Sequence, residues 1–184
     1  NQIICGDCIQ IMEDIPENSI DIVLTSPPYN TSRVSKTKRA LDNNENRYLG
    51  YNDNLTDEEY ITWTLKLFSS FNKILKKDGC IIYNLSYSSE NTWLIWLVIA
   101  DIIRLSNFTV QDCIIWKKNS AIPNNRSSNK LTRIIEYVFI FSRKTETKTF
   151  KSNKKVLSLI EKTGQKNYEN IFNFIEAKNN DGAN

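Results

Sequence analysis

Residues 25–30 read Thr-Ser-Pro-Pro-Tyr-Asn and follow directly on the apolar run Ile20-Asp21-Ile22-Val23-Leu24. A strand that ends this way runs into a stiff loop, because consecutive prolines hold the backbone on one extended path. Open α/β sheets place their chemistry at the carboxyl ends of strands. The residue types fit one chemistry well. The amino group on a cytosine or adenine ring is a poor nucleophile, since its lone pair is delocalised into the ring. Two acceptors placed out of the ring plane hold its N–H groups and free that lone pair to attack a methyl donor. Ser26 Oγ is one such acceptor. The Pro27 carbonyl is the other, and Pro28 fixes both in place before any substrate arrives, which is how preorganisation lowers a barrier. Tyr29 offers a flat face to a base that has left its duplex. Extrusion costs roughly a few kcal/mol, and stacking returns about 1–3 kcal/mol. An ordinary turn could also read Ser-Pro-Pro-Tyr, but here a strand precedes it and a Gly6-Asp7 strand end lies upstream.

These residues need a sheet to hold them. Ile3 to Asp7 reads as a first strand, and residues 8–14 as a short helix stopped before Pro16. Residues 20–25 form the second strand. Thr56-Asp57-Glu58-Glu59 is a capping box that opens a helix with Ile61, Leu65, Phe68, Phe71, Ile74 and Leu75 on its apolar face. Lys76-Lys77-Asp78-Gly79 closes that helix. Cys80–Leu85 is the third strand, 91–105 a strongly apolar and therefore covered helix, 108–116 the fourth strand and 134–141 the fifth. The polar stretch 31–55 is too long for a simple connection. Strand–helix–strand alternation predicts a mostly parallel sheet with right-handed crossovers. Residues from about 143 onward show little periodicity, and 165–184 carry no clear fold signal.

Composition narrows the function. The 184 residues suffice for one domain with a sizeable core. With no histidine in the chain, His-based triads and His metal sites are excluded. Cys5 and Cys8 have metal-pair spacing, but a zinc site needs a second close pair, and Cys80 and Cys113 stand far apart in apolar runs. Buried thiols in a reducing compartment and no metal are expected. No signal peptide is visible, and the most apolar stretch, 93–103, is too short to span a bilayer and contains Asp101. A cytoplasmic protein without membrane contact is the expectation. Net charge is only +3, yet between Lys117 and Lys155 eleven Lys and Arg face only Glu136 and Glu146, a local +9 that leaves −6 elsewhere. Such asymmetry fits a flank facing a polyanion, or a solvated basic surface.

Taken together, Ile-Ile-Cys-Gly-Asp-Cys, then Asp-Ile-Val-Leu-Thr-Ser-Pro-Pro-Tyr-Asn, resemble the opening of the beta-arrangement DNA amino-methyltransferases, which use S-adenosylmethionine. Leu75–Ile82, Ile115–Lys118 and Ile135–Ser142 resemble later segments of that family, so the likeness runs from residue 2 to about 145. It implies an α/β fold of the Rossmann-like methyltransferase kind, a mostly parallel sheet with flanking helices, incomplete in this chain. It implies roles residue by residue. Ser26, Pro27, Pro28 and Tyr29 would be the catalytic loop, and Asn30 would support it. Asp7, Cys8, Ser26 and Pro27 would meet the cofactor, with Asp7 on its adenine amino group, the lesser alternative being that Asp7 merely caps the next helix. Trp116 and Lys117 could flank the base or be structural, and Glu136 could do chemistry or close a salt bridge. Arg33, Lys36, Lys38, Arg39, Lys117, Lys118, Arg126, Lys130 and Arg133 would meet double-stranded DNA. Ser at the first loop position usually goes in this family with cytosine N4, and Asp with adenine N6, so cytosine N4 is favoured and adenine N6, methylated by the same mechanism, is the alternative.

The family's glycine-rich loop, which cradles the methionine part of the cofactor, has no counterpart. The five glycines, at 6, 50, 79, 164 and 182, stand singly. The expectation is therefore a piece of an enzyme, divided into residues 1–145 with the catalytic motif and a basic, polar 146–184. One sheet edge would be open, and a complementary chain or C-terminal segment would bring the cofactor loop. A DNA-binding module without catalysis, and a methyltransferase acting on RNA or a protein amide, are the competing readings.

Overall fold

A computed structural model describes residues 2–30, 53–87, 91–119, 128–148 and 150–177. It contains one five-stranded sheet, a separate two-stranded hairpin and three helices, α1 (Cys8–Glu13), α2 (Asp57–Ile74) and α3 (Leu94–Leu105). Strands β1 (Ile20–Thr25), β2 (Leu75–Leu85), β3 (Phe108–Lys118), β4 (Ile135–Arg143) and β7 (Phe174–Ala177) build the sheet in the order β1-β2-β4-β3-β7. Strands β1, β2, β3 and β7 run one way. Only β4 runs against its neighbours, pairing antiparallel with β2 and β3. The mostly parallel, α/β character therefore holds, with one reversed strand in the interior.

Three expectations need correcting. Leu75 to Gly79 do not close α2: the helix ends at Ile74 and these residues already belong to β2, with Leu75 paired to Ile20. Residues 3–6 are not a strand: nothing in the sheet pairs with them, and Ile3 is fully exposed. The fifth strand comes instead from the tail, where β7 pairs parallel with β3 through Ile115↔Phe174 and its neighbours. The same tail folds β5 (Val156–Ile160) against β6 (Gln165–Tyr168), turning at Gly164, whose φ of +67° suits glycine.

The helix starts follow the sequence. Thr56 Oγ1 accepts from the Glu59 N–H, and the Glu59 carboxylate receives the Thr56 N–H, closing the capping box. That contact holds the Glu59 carboxyl below its usual range. Gly79 is required where it stands, because a Cβ there would lie 2.9 Å from the Asp21 carbonyl as the chain bulges between the Ile20↔Leu75 and Ile22↔Cys80 pairs. Arg143 satisfies the end of α2: it donates to the carbonyls of Asn72 (2.8 Å), Leu75 (2.7 Å) and Lys76 and lies over the Phe108 ring.

The core forms on one face of the sheet. Phe68 of α2 is fully buried and meets Phe71, Tyr83, Phe108 and Phe141 edge-on at 5.1–5.7 Å. Leu94, Ile95, Val98 and Ile102 bring α3 onto the same cluster, and Met12 brings α1. The outer side of α3 is not covered, since Trp96 and Leu97 are exposed. Side chains alternate along β1, so Val23 faces this core while Ile22 and Leu24 point to the opposite face, where they are exposed. Phe68→Ala is expected to cost about 3–5 kcal/mol in urea denaturation, whereas Leu131→Ala, at a residue 90% exposed, should stay within about 0.5 kcal/mol.

Candidate active site

The Ser-Pro-Pro-Tyr loop leaves the carboxyl end of β1 beside the carboxyl end of β2, since Thr25 pairs with Tyr83. Strand β4 starts at this same end because it is reversed, and β3 finishes there, Trp116 pairing with Glu136. Four neighbouring strands thus deliver Ser26 and Tyr29, Asn84, Glu136 and Lys118 to one place. Ser26 Oγ lies 2.7 Å from the Tyr29 hydroxyl. Asn84 Nδ2 donates to the Tyr29 hydroxyl at 2.7 Å and to Glu136 Oε2 at 2.7 Å. The Tyr29 hydroxyl can donate to the same Oε2 at 3.3 Å. Lys118 pairs with the other carboxylate oxygen, Oε1, and Glu136 is buried.

The loop is pinned from its far side as well. Tyr60 donates its hydroxyl to the Pro28 carbonyl at 2.6 Å. Asn30, buried with φ +52°, receives the Leu55 N–H at 2.7 Å, donates to the Leu55 carbonyl at 2.8 Å and donates its own N–H to Asp53 at 2.9 Å. The Pro28 carbonyl is thereby consumed. No donor among the described residues meets the carbonyl of Pro27, a buried residue, and exposed Ser26 Oγ, which contacts the Tyr29 hydroxyl and receives Asn84 Nδ2 at 3.5 Å, keeps room for one more donor. Tyr29 also walls an open cleft with Asn30, Tyr60, Leu85, Leu94 and Ile95.

Asp7 does cap α1, its Oδ1 accepting from the N–H groups of Ile9 (2.9 Å) and Gln10 (3.1 Å). Both bonds use Oδ1, so Oδ2 can still take an amino group, and the two readings of Asp7 are compatible. The residues expected to hold S-adenosylmethionine would be Asp7, through Oδ2, and the Ser26-Pro27 stretch, and the sequence has no paired glycines to follow the flexible end of that molecule. Cys8 is a free thiol, raised by partial burial and by the charge of Asp7 beside it. The expected buried thiols are not found, since Cys5 and Cys8 are exposed and Cys80 and Cys113 half-buried; partial burial raises the last two, Cys113 with help from Asp112. Among the described residues no group of three potential metal ligands occurs, and no helix is long and apolar enough to cross a membrane.

The basic flank is partly committed to internal partners. Lys117 pairs with Glu176 at 2.7 Å, Lys118 with Glu136, and Arg133 lies over the Tyr87 ring. Lys130 is exposed. Arg33, Lys36, Lys38, Arg39 and Arg126 lie outside the described residues.

A family model described as DNA methylase, covering the N6 and N4 types, matches residues 20–184. The chain belongs to this DNA methylase family. Its members methylate exocyclic amines with S-adenosylmethionine as donor. The type II methyltransferase M.MjaVI of Methanocaldococcus jannaschii is 33% identical over 110 residues, 58% of this chain and 50% of that protein. M.BglII of Bacillus subtilis is 32% identical over 83 residues, 45% of this chain and 19% of that one. In structure the chain is similar to the PvuII DNA methyltransferase (cytosine-N4-specific), with a TM-score of 0.66 at 21% identity over 97% of this chain and 57% of the other. M1.HpyAVI follows with a TM-score of 0.53 at 16% identity over 98% and 69%. The chain spans half the length of M.MjaVI and less of M.BglII.

Asn84 escaped the sequence reading. The signal was there: it is a polar residue at the end of the apolar run Cys80–Leu85, just where β2 reaches the loop. Its Oδ1 is buried without a hydrogen-bond partner, a further acceptor beside Ser26. Asn30→Ala should cost about 2–3 kcal/mol in urea denaturation, because both Leu55 backbone groups lose their partner. Asn30→Asp keeps the acceptor and should lose about half as much.

Proposed function

We propose that this chain carries the base-holding half of a DNA amino-methyltransferase that transfers a methyl group from S-adenosylmethionine to N4 of an extruded cytosine. The observation that carries the reading is the pair of acceptors left open on a loop fixed at both ends. Tyr60 and Asn30 occupy the surrounding polar groups, while Ser26 Oγ and the Pro27 carbonyl stay available to two N–H groups. A neutral hydroxyl at the first loop position favours cytosine over adenine, as does the family's pairing of Ser with N4. Tyr29 stacks on the base, and Pro28 keeps the loop stiff.

DNA is held by phosphate contacts from Arg33, Lys36, Lys38, Arg39, Arg126, Lys130 and Arg133. Lys117 can join them, because its partner Glu176 is half exposed and a solvated ion pair is worth little. Lys118 has the better-buried partner and stays inside. The cofactor's glycine-rich cradle comes from a complementary chain or segment. Among the described residues no strand pairs with the outer edge of β1, and with Ile22 and Leu24 exposed beside it this is the place such a segment would extend the sheet.

Combined with a polypeptide carrying that glycine-rich half, radiolabelled S-adenosylmethionine and duplex DNA, the chain should place label on DNA. Ser26→Ala and Tyr29→Ala should each lose about 10²-fold or more of that transfer. Salt-sensitive DNA binding without any label would instead favour a binding module, whose affinity falls steeply between low and moderate salt. Calorimetry should find no tight S-adenosylmethionine binding by the chain alone, and tight binding would contradict the divided site.

A further inference from the structure

We infer that Glu136 sets the direction of the hydrogen bonds in the loop and receives, through Tyr29 and Ser26, the proton that the base amine must lose. The inference rests on the methyl-transfer reading and goes beyond it by giving Glu136 a role. A hydroxyl pair such as Ser26–Tyr29 can run either way, with either oxygen donating across the 2.7 Å contact. If Tyr29 donated to Ser26, one lone pair of Oγ would be used, and the Ser26 proton would be left to point at the substrate amine. The surroundings oppose that arrangement. Tyr29 already accepts from Asn84 Nδ2 at 2.7 Å, and its own proton faces the Glu136 carboxylate at 3.3 Å. An ionised carboxylate accepts only, and bonds to it are stronger than bonds between neutral groups.

The chain therefore runs Ser26 O–H to Tyr29 O–H to Glu136 Oε2, and Ser26 Oγ meets the amine as an acceptor. Asn84 braces the chain by donating to Tyr29 and to the same Oε2. Lys118 holds the remaining oxygen, Oε1. Once the amine has gained its methyl group it is a cation and sheds one N–H proton. That proton passes to Ser26 Oγ as the Ser26 proton moves to the Tyr29 oxygen and the Tyr29 proton moves to Glu136. Both hydroxyls end as they began, Glu136 ends as a neutral acid, and the charge balances. Glu136 touches no substrate atom in this scheme and is a positioning residue.

The test uses the full chain with tyrosine labelled by 13C at Cζ, the Tyr29 resonance assigned with Tyr29→Phe. A phenol that donates a hydrogen bond to a carboxylate shows this carbon downfield. Glu136→Gln should move the Tyr29 signal upfield, and Ser26→Ala should leave it nearly in place. A signal that moves with Ser26→Ala and ignores Glu136→Gln would mean that Tyr29 donates to Ser26, and would overturn the inference. Should Glu136→Gln unfold the chain by stranding Lys118, the double variant Glu136→Gln/Lys118→Gln removes both charges and gives the same readout. In the reconstituted transfer assay, Glu136→Gln should lower kcat about 10²-fold with the KM for DNA unchanged, and Glu136→Asp should restore part of the rate. An unchanged kcat would overturn the proton route. Absence of transfer by the unaltered chain would instead fail the methyl-transfer reading, while the carbon signal still decides the hydrogen-bond direction.

Discussion

The carboxylate of Glu136 stands at the start of the one strand that runs against its neighbours, and the arrangement of the site follows from that reversal. Had β4 run with β2 and β3, its first residues would lie at the opposite end of the sheet. Reversed, it brings a buried negative charge to the carboxyl ends of β1, β2 and β3. That charge then needs partners, because a buried carboxylate without them is costly. Lys118 answers on one oxygen, and Asn84 and Tyr29 on the other. The loop that leaves β1 is thus tied inward by a polar cluster and outward by Tyr60 and Asn30. Its prolines remove the freedom that would remain.

The aromatic core supplies the stiffness behind this cluster. Phe68, Tyr83 and Phe141 lock α2 against β2 and β4, and alternate residues of the same strands carry Asn84 and Glu136. Side chains on one face therefore fix the position of those on the other. A two-residue period makes this coupling strict, since a slip by one residue would exchange the faces.

Much of this was legible in the residues. The Thr56 capping box and the loop itself are local patterns and stand where the sequence placed them; the apolar face of α2 does so only through Phe68, Phe71 and Ile74, since Tyr60, Thr64 and Leu67 are buried where Ile61 and Leu65 were expected. The direction of β4 was not legible, because alternation shows a strand without showing which way it runs. The strand expected at 3–7 had the right composition but nothing to pair with, and burial in a sheet needs a neighbour. The hairpin and β7 in the tail were missed for another reason: Val156–Ile160 and Phe174–Ala177 are short apolar runs without clean alternation, and only Gln165–Tyr168 is polar. The basic flank misled in part: Arg143 serves carbonyls at the end of α2 and Lys118 serves Glu136, so a count of charges overstated what is left for DNA.

The central claim is that Ser26 Oγ and the Pro27 carbonyl together hold the amine of an extruded cytosine. A crystal structure of the chain, joined by its glycine-rich half and bound to duplex DNA, tests this most directly. The account predicts the cytosine N4 within about 3 Å of both oxygens, with its ring against Tyr29. A base whose amine faces away from either oxygen, or an adenine in that place, would contradict it.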